Sequence, residues 1–73
     1  MLKLKLLRLA SGLSQWELSR SAGMSQGRYS MIERGLIRPL IEERTSLARL
    51  LQASPVSLFR GVGQHRKPVA KGS

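Results

Sequence analysis

Cysteine and aspartate are absent, and histidine, tryptophan, tyrosine and phenylalanine occur once each. Without cysteine there is no disulfide, no thiolate metal site and no thiol nucleophile, which suits a reducing cytosol. His65 has no second ligand and no carboxylate near it in the chain, so neither a metal site nor acid–base chemistry is expected from it. The four acids are all glutamates, Glu17, Glu33, Glu42 and Glu43. None stands beside a nucleophile, and no phosphate-binding loop accompanies them; neither an enzyme nor a cofactor is expected. Long apolar runs are missing too. Lys3, Lys5 and Arg8 interrupt the N-terminal leucines, which argues against a signal peptide, and no stretch approaches the roughly 18 uninterrupted apolar residues of a membrane span. A soluble, cytoplasmic protein is expected.

What the chain has in excess is positive charge. Thirteen Lys and Arg against four Glu give a formal net charge of +9 over 73 residues, so a polyanion is the expected partner. A chain of this length makes one domain and buries only about 60% of its unfolded surface, which calls for a small core.

The most organised stretch runs from Leu13 to Gly35. Ser14 is followed three residues later by Glu17, the reciprocal arrangement in which the serine accepts from the N3 amide and the glutamate reaches back to the cap. A helix is predicted to begin there and to stop at Gly23, which tolerates the left-handed backbone that ends helices. Ser25 caps a second helix running through Ile32 and Glu33 to Gly35. Helix, short turn, helix is the connection pattern of DNA-reading motifs that lay their second helix in the major groove.

The remainder reads as support. Leu2, Leu4 and Leu6 alternate with Lys3 and Lys5 at strand period, yet Leu2, Leu6, Leu9 and Leu13, or Leu4 and Leu7, keep helix spacing. Helix is favoured because no partner strand appears, leucine and lysine are good helix formers, and Gly12 supplies a stop. After Gly35 the segment Leu36-Ile37-Arg38-Pro39 forbids a continuous helix. From about Leu40 to Gln52, Leu40, Leu47, Leu50 and Leu51 mark one face of a fourth helix, and Glu42, Glu43, Arg44 and Arg49 the other. Ser54 then Pro55 opens a short fifth helix through Val56, Leu58 and Phe59 to Gly61, with Phe59 expected to face inward. Residues 1–61 are thus one all-α domain, and 62–73 a basic tail without a periodic apolar face, expected to be disordered.

With these five helices aligned, most of the chain, Leu4 to Phe59, resembles the lambda-repressor-like (XRE, Cro/C1 type) helix-turn-helix family. The resemblance is carried by Leu4, Leu7 and Arg8, by Gly12-Leu13-Ser14-Gln15 with Leu18, by Gly23-Met24-Ser25, and by Glu33, Gly35 and Pro39. The departures are Ser19 for a usual alanine, Tyr29 for a usual β-branched residue and Ala53 for a usual glycine. Ser19 and Tyr29 are expected under the turn, where they would loosen its packing; Ala53 bears on the end of the fourth helix.

The resemblance implies a compact five-helix DNA-binding domain and a set of contacts. Gln26, Gly27, Arg28, Ser30 and Met31 would face base edges. Chemistry allows this: glutamine pairs bidentately with adenine, arginine with guanine or a phosphate, and methionine packs on a thymine methyl. For each, the alternative is an ordinary exposed helix surface; Gln26 and Arg28 come first. Ser14, Gln15, Trp16, Ser25, Arg34 and Arg38 would meet phosphates, helped by helix N-termini, against a plain reading as solvated polar groups and, for Trp16, as a cover for the helix end. Arg8 and Glu33 would form a structural ion pair, and Tyr29 and Ile32 would face inward.

The function implied is a sequence-specific transcriptional regulator of repressor or controller type, a homodimer on palindromic double-stranded DNA at the nucleoid, pairing through Val56 and Ser57. A competing reading is an antitoxin-type module whose main partner is a toxin protein. A membrane-surface role for the basic N-terminal leucines is set aside, because that apolar face is needed to cover the other helices.

Overall fold

Three serines start three of the helices. Ser14, Ser25 and Ser54 each have extended backbone and accept through the side chain from the amide three residues on, Glu17, Arg28 and Ser57 respectively. The computed structural model describes residues 2–59; the expected basic tail and the domain boundary at residue 61 lie outside the described residues. Five helices follow in order, α1 (Lys3–Ala10), α2 (Gln15–Ser21), α3 (Gln26–Glu33), α4 (Ile41–Leu50) and α5 (Pro55–Leu58).

The stops of α1 to α4 share one chemistry. At the end of α2, Met24 N–H donates to the Ser19 carbonyl at 3.0 Å and Gly23 N–H to that of Arg20 at 3.1 Å, the paired bonds of a Schellman motif. The same two bonds close α1 at Gly12, α3 at Gly35 and α4 at Gln52. Three of the four left-handed residues are glycines, with φ between +73° and +77°, whereas Gln52 adopts φ 54°. Here the sequence reading is corrected: the departure bearing on the end of α4 is Gln52 rather than Ala53, and the helix closes at Leu50, two residues before the expected end.

Every helix contributes to one core. Leu4, Leu18, Tyr29, Ile32, Leu47, Ala48, Leu51 and Leu58 are buried together, with Leu7, Leu13, Met24, Ile37 and Phe59 packed against them. Each fully buried leucine is worth about 1.5–3 kcal/mol. In α1 the buried face is Leu4, Leu7 and Arg8, and Leu6 and Leu9 are exposed. In α4 the expected face is also corrected. Leu40 is the N-cap residue and stands outside the helix, and Leu50 points to solvent; Leu47, Ala48 and Leu51, spaced three and four apart, carry the burial. In α5, Leu58 rather than Phe59 is the fully buried anchor, and Phe59 lies half-buried under the Arg44 guanidinium.

Ser19 and Tyr29 do not loosen the turn. Ser19 is buried with its hydroxyl donating to the Trp16 carbonyl at 2.9 Å, and Tyr29 is buried with its hydroxyl donating to Glu33 Oε2 at 2.7 Å. Both extra oxygens are satisfied inside the fold, which is the condition for burying them at low cost. Among the described residues no helix is long and apolar enough to cross a membrane.

Candidate nucleic-acid interface

The positions of Tyr29, Ile32 and Glu33, three and four residues apart, root α3 in the core. At 100° per residue, the opposite side of the helix is centred on Gly27, with Met31 and Arg34 beside it and Ser30 and Arg28 on its flanks. Burial follows that geometry, with Gly27, Met31 and Arg34 exposed and Ser30 and Arg28 half-buried; Gln26, on the Glu33 side by angle, is exposed as the first residue of the helix. An added Cβ at Gly27 would meet no atom within 4 Å, and its backbone is ordinary helix, so nothing inside the fold requires a glycine there. Ser25 caps the start of this face, with its oxygen 3.1 Å from the Arg28 amide.

A single carboxylate holds α3 to the two preceding helices. Glu33 accepts from Arg8 Nε at 2.6 Å and Nη2 at 3.3 Å, from Gln15 Nε2 at 2.8 Å and from the Tyr29 hydroxyl at 2.7 Å. Arg8 spends a further donor, Nη1, on the Leu13 carbonyl at 2.8 Å. Burial pushes the Glu33 carboxyl up, but the hydrogen bonds from Arg8, Tyr29 and Gln15 outweigh it and hold the group below its ordinary value. The partner benefits in turn, since the bond to Glu33 raises the Arg8 guanidinium further. The Arg8–Glu33 pairing implied by the family resemblance is therefore present, and it is a four-residue cluster rather than a pair.

This cluster changes the picture of Gln15. The sequence left it as a phosphate contact or a solvated polar group; the structure gives it a half-buried amide with an N–H already donated to Glu33. Its neighbour Ser14 is committed through its backbone N–H and side-chain oxygen to a capping box with Glu17, at 2.9 and 3.0 Å. Trp16 is 53% exposed, with the Arg20 guanidinium 4.9 Å from its ring centroid. Arg20 was not singled out from sequence, although its i, i+4 spacing from Trp16 is a usable signal for such a stack. Arg34 and Arg38 are both exposed, at and beyond the end of α3.

Arg28, expected at a base edge or on a plain exposed helix surface, has a partner that the sequence did not point to. Its Nε and Nη2 donate to Glu43 Oε2 and Oε1 at 2.6 and 2.8 Å, tying the flank of α3 to the first turn of α4. Glu43 is held below its ordinary value first by Arg28 and further by the Leu40 amide. No local pattern marks Glu43, because its partner is 15 residues away. Val56 is exposed and Ser57 half-buried on α5, far in sequence from the α3 face.

A protein-family model described as "Helix-turn-helix" matches residues 4–58, all but a few of the described residues. No curated protein matches the chain, and no solved structure does.

Proposed function

The chain belongs to the helix-turn-helix family, a family of DNA-binding transcription regulators, and from that premise we propose that it reads a specific duplex DNA sequence with α3 as a two-fold dimer of repressor or controller type. The observation that carries this reading is the outward face of α3, where a glycine with open space above it lies among Gln26, Ser30, Met31 and Arg34. A helix that lacks a side chain at the middle of its exposed face can bring its backbone close to a flat partner, and neighbours of these types match base edges. Gln26 reads an adenine, Met31 packs on a thymine methyl, and Ser30 contacts either kind of edge. Phosphates are met by Ser14, Gln15, Trp16 and Ser25 at the starts of α2 and α3, and by Arg34 and Arg38 after α3. Because Gln15 has one N–H on Glu33, its remaining N–H reaches the backbone from a fixed orientation. The net charge of +9 supplies the sequence-independent part of the affinity, and the work is done at the nucleoid in the cytoplasm.

Selection of bound sites from random duplex DNA, followed by titration with salt, tests the reading. A two-fold symmetric motif with half-sites about one helical turn apart, ~34 Å, is expected, with log K falling by about 0.9 per contacted phosphate for each decade of salt. Failure to enrich any sequence, together with a flat salt response, would overturn it.

A further inference from the structure

Glu43 holds the Arg28 guanidinium side-on. Nε and Nη2 are the two donors on one edge of that planar group, and both are spent on one carboxylate, at 2.6 and 2.8 Å. The same Oε1 accepts the Leu40 N–H at 2.7 Å, so the carboxylate is itself anchored to the start of α4. The Glu43 side chain is 14% exposed and that of Arg28 36%, which leaves the acid covered and part of the guanidinium open to solvent. Of five N–H donors two are used, and the remaining ones include the end-on pair, one on each Nη. That pair is the fork that fits two neighbouring acceptors such as O6 and N7 of guanine.

We propose that Glu43 is a positioning residue for base readout, presenting the end-on N–H pair of Arg28 to a guanine in the major groove at the flank of α3. The proposal rests on α3 being the reading helix, and it names one base and the residue outside α3 that fixes its recognition. A long arginine on an exposed helix samples many rotamers and must lose them on binding; one already clamped on two atoms has lost them in the free protein. The clamp also settles which edge of the guanidinium faces outward. A carboxylate beside DNA would otherwise repel phosphate, but this one is neutralised by the arginine it holds.

The full chain and four variants, Glu43→Gln, Arg28→Ala, the double variant of these two and Arg28→Lys, are titrated against the selected operator and against duplexes altered at each base pair. Glu43→Gln keeps an oxygen for the Leu40 amide but replaces the other acceptor with a donor, so it disturbs the clamp and not the helix start. It is expected to lower the preference for guanine at one position of each half-site by about tenfold, leaving other positions unchanged. Arg28→Ala removes that preference, and Glu43→Gln has no further effect in its background. Arg28→Lys, which keeps the charge and lacks the fork, loses the guanine preference while retaining the salt slope. Unchanged or sharper discrimination in Glu43→Gln would overturn the proposal, as would an equal loss at every position or a guanine preference that survives Arg28→Lys. A wild-type protein that enriches no sequence removes the parent reading instead, so the two failures are distinct.

Discussion

Arg8 and Glu33 stand 25 residues apart in the chain and meet side-on, with Nε 2.6 Å from Oε2 and Nη2 3.3 Å from Oε1. Their side chains retain only 9% and 2% of their exposure. The contact binds the first helix to the end of the third, so it sets where α3 stands relative to the rest of the domain. Removing one partner leaves the other buried without its counter-charge. Glu33→Ala should therefore cost about 3–5 kcal/mol, because Arg8, Tyr29 and Gln15 all lose their acceptor. That is a large part of the 5–15 kcal/mol typical of a folded domain. Arg8→Ala combined with Glu33→Ala should cost less than the sum of the two, by about 0.5–3 kcal/mol in a urea-unfolding cycle. Strict additivity would show that the cluster is not energetically coupled.

The same cluster predicts how stability depends on pH at both ends of the scale. Glu33 is lower in the folded chain than its ordinary value of 4.5, so its contribution is fully present above that value and is lost as pH falls through the folded one. Unfolding midpoints should be level near neutrality and drop below about pH 4.5, with a shallower drop in Glu33→Gln. Tyr29 moves the other way. Burial first, and then its bond to Glu33, push the hydroxyl well above its ordinary 10.0. Its contribution is present below that value and disappears as pH rises through the folded one. As Tyr29 is the only tyrosine, its near-ultraviolet absorbance reports a single group, and ionisation should coincide with loss of helix. A tyrosine that titrates at pH 10 in the folded protein would contradict the buried, hydrogen-bonded hydroxyl.

Gly27 and Gln52 are each suboptimal for the fold, in opposite senses. Gly27 lies in ordinary helix with open space around it, so Gly27→Ala should raise stability by about 0.5–1 kcal/mol. If its bareness serves contact with DNA, the same change should weaken operator binding; a stabler variant with unaltered affinity would remove Gly27 from the interface. Gln52 holds a left-handed backbone at φ 54°, and Gln52→Gly should stabilise by roughly 1 kcal/mol without any effect on DNA affinity. Thermal melting beside anisotropy titrations separates the two cases.

Assembly is tested at α5. Val56 is 68% exposed, next to a fully buried Leu58, so a charge there leaves the core intact. If Val56 and Ser57 form the dimer contact, Val56→Glu should sediment as a monomer at concentrations where the wild type pairs, and its operator titration should lose cooperativity. A dimer indifferent to the substitution would put the contact elsewhere on the surface.

The local chemistry of the chain was enough to read most of the helix ends. A serine with its acceptor three residues from an amide, a glutamate reaching back, a proline at the first helical position and a glycine in left-handed backbone all act within five residues. Their outcome does not depend on what the rest of the molecule does. Ser14, Glu17, Gly23, Ser25 and Ser54 accordingly behave as their neighbours in sequence dictate. The Arg8–Glu33 pairing was available through the family resemblance, although its extension to Gln15 and Tyr29 was not. Burial could be read only in part, because leucines recur often enough in α1 and α4 to offer more than one apolar face. Packing chose Leu4 and Leu7 over Leu6 and Leu9, and Leu47, Ala48 and Leu51 over Leu40 and Leu50. The charged partnerships lay furthest out of reach. Arg28 finds Glu43 15 residues away and Gln15 finds Glu33 18 residues away, distances over which no spacing rule operates. Only the crossing of α3 against its neighbours brings these groups together, and once they are close the cost of leaving a charge unpaired fixes which donor takes which acceptor.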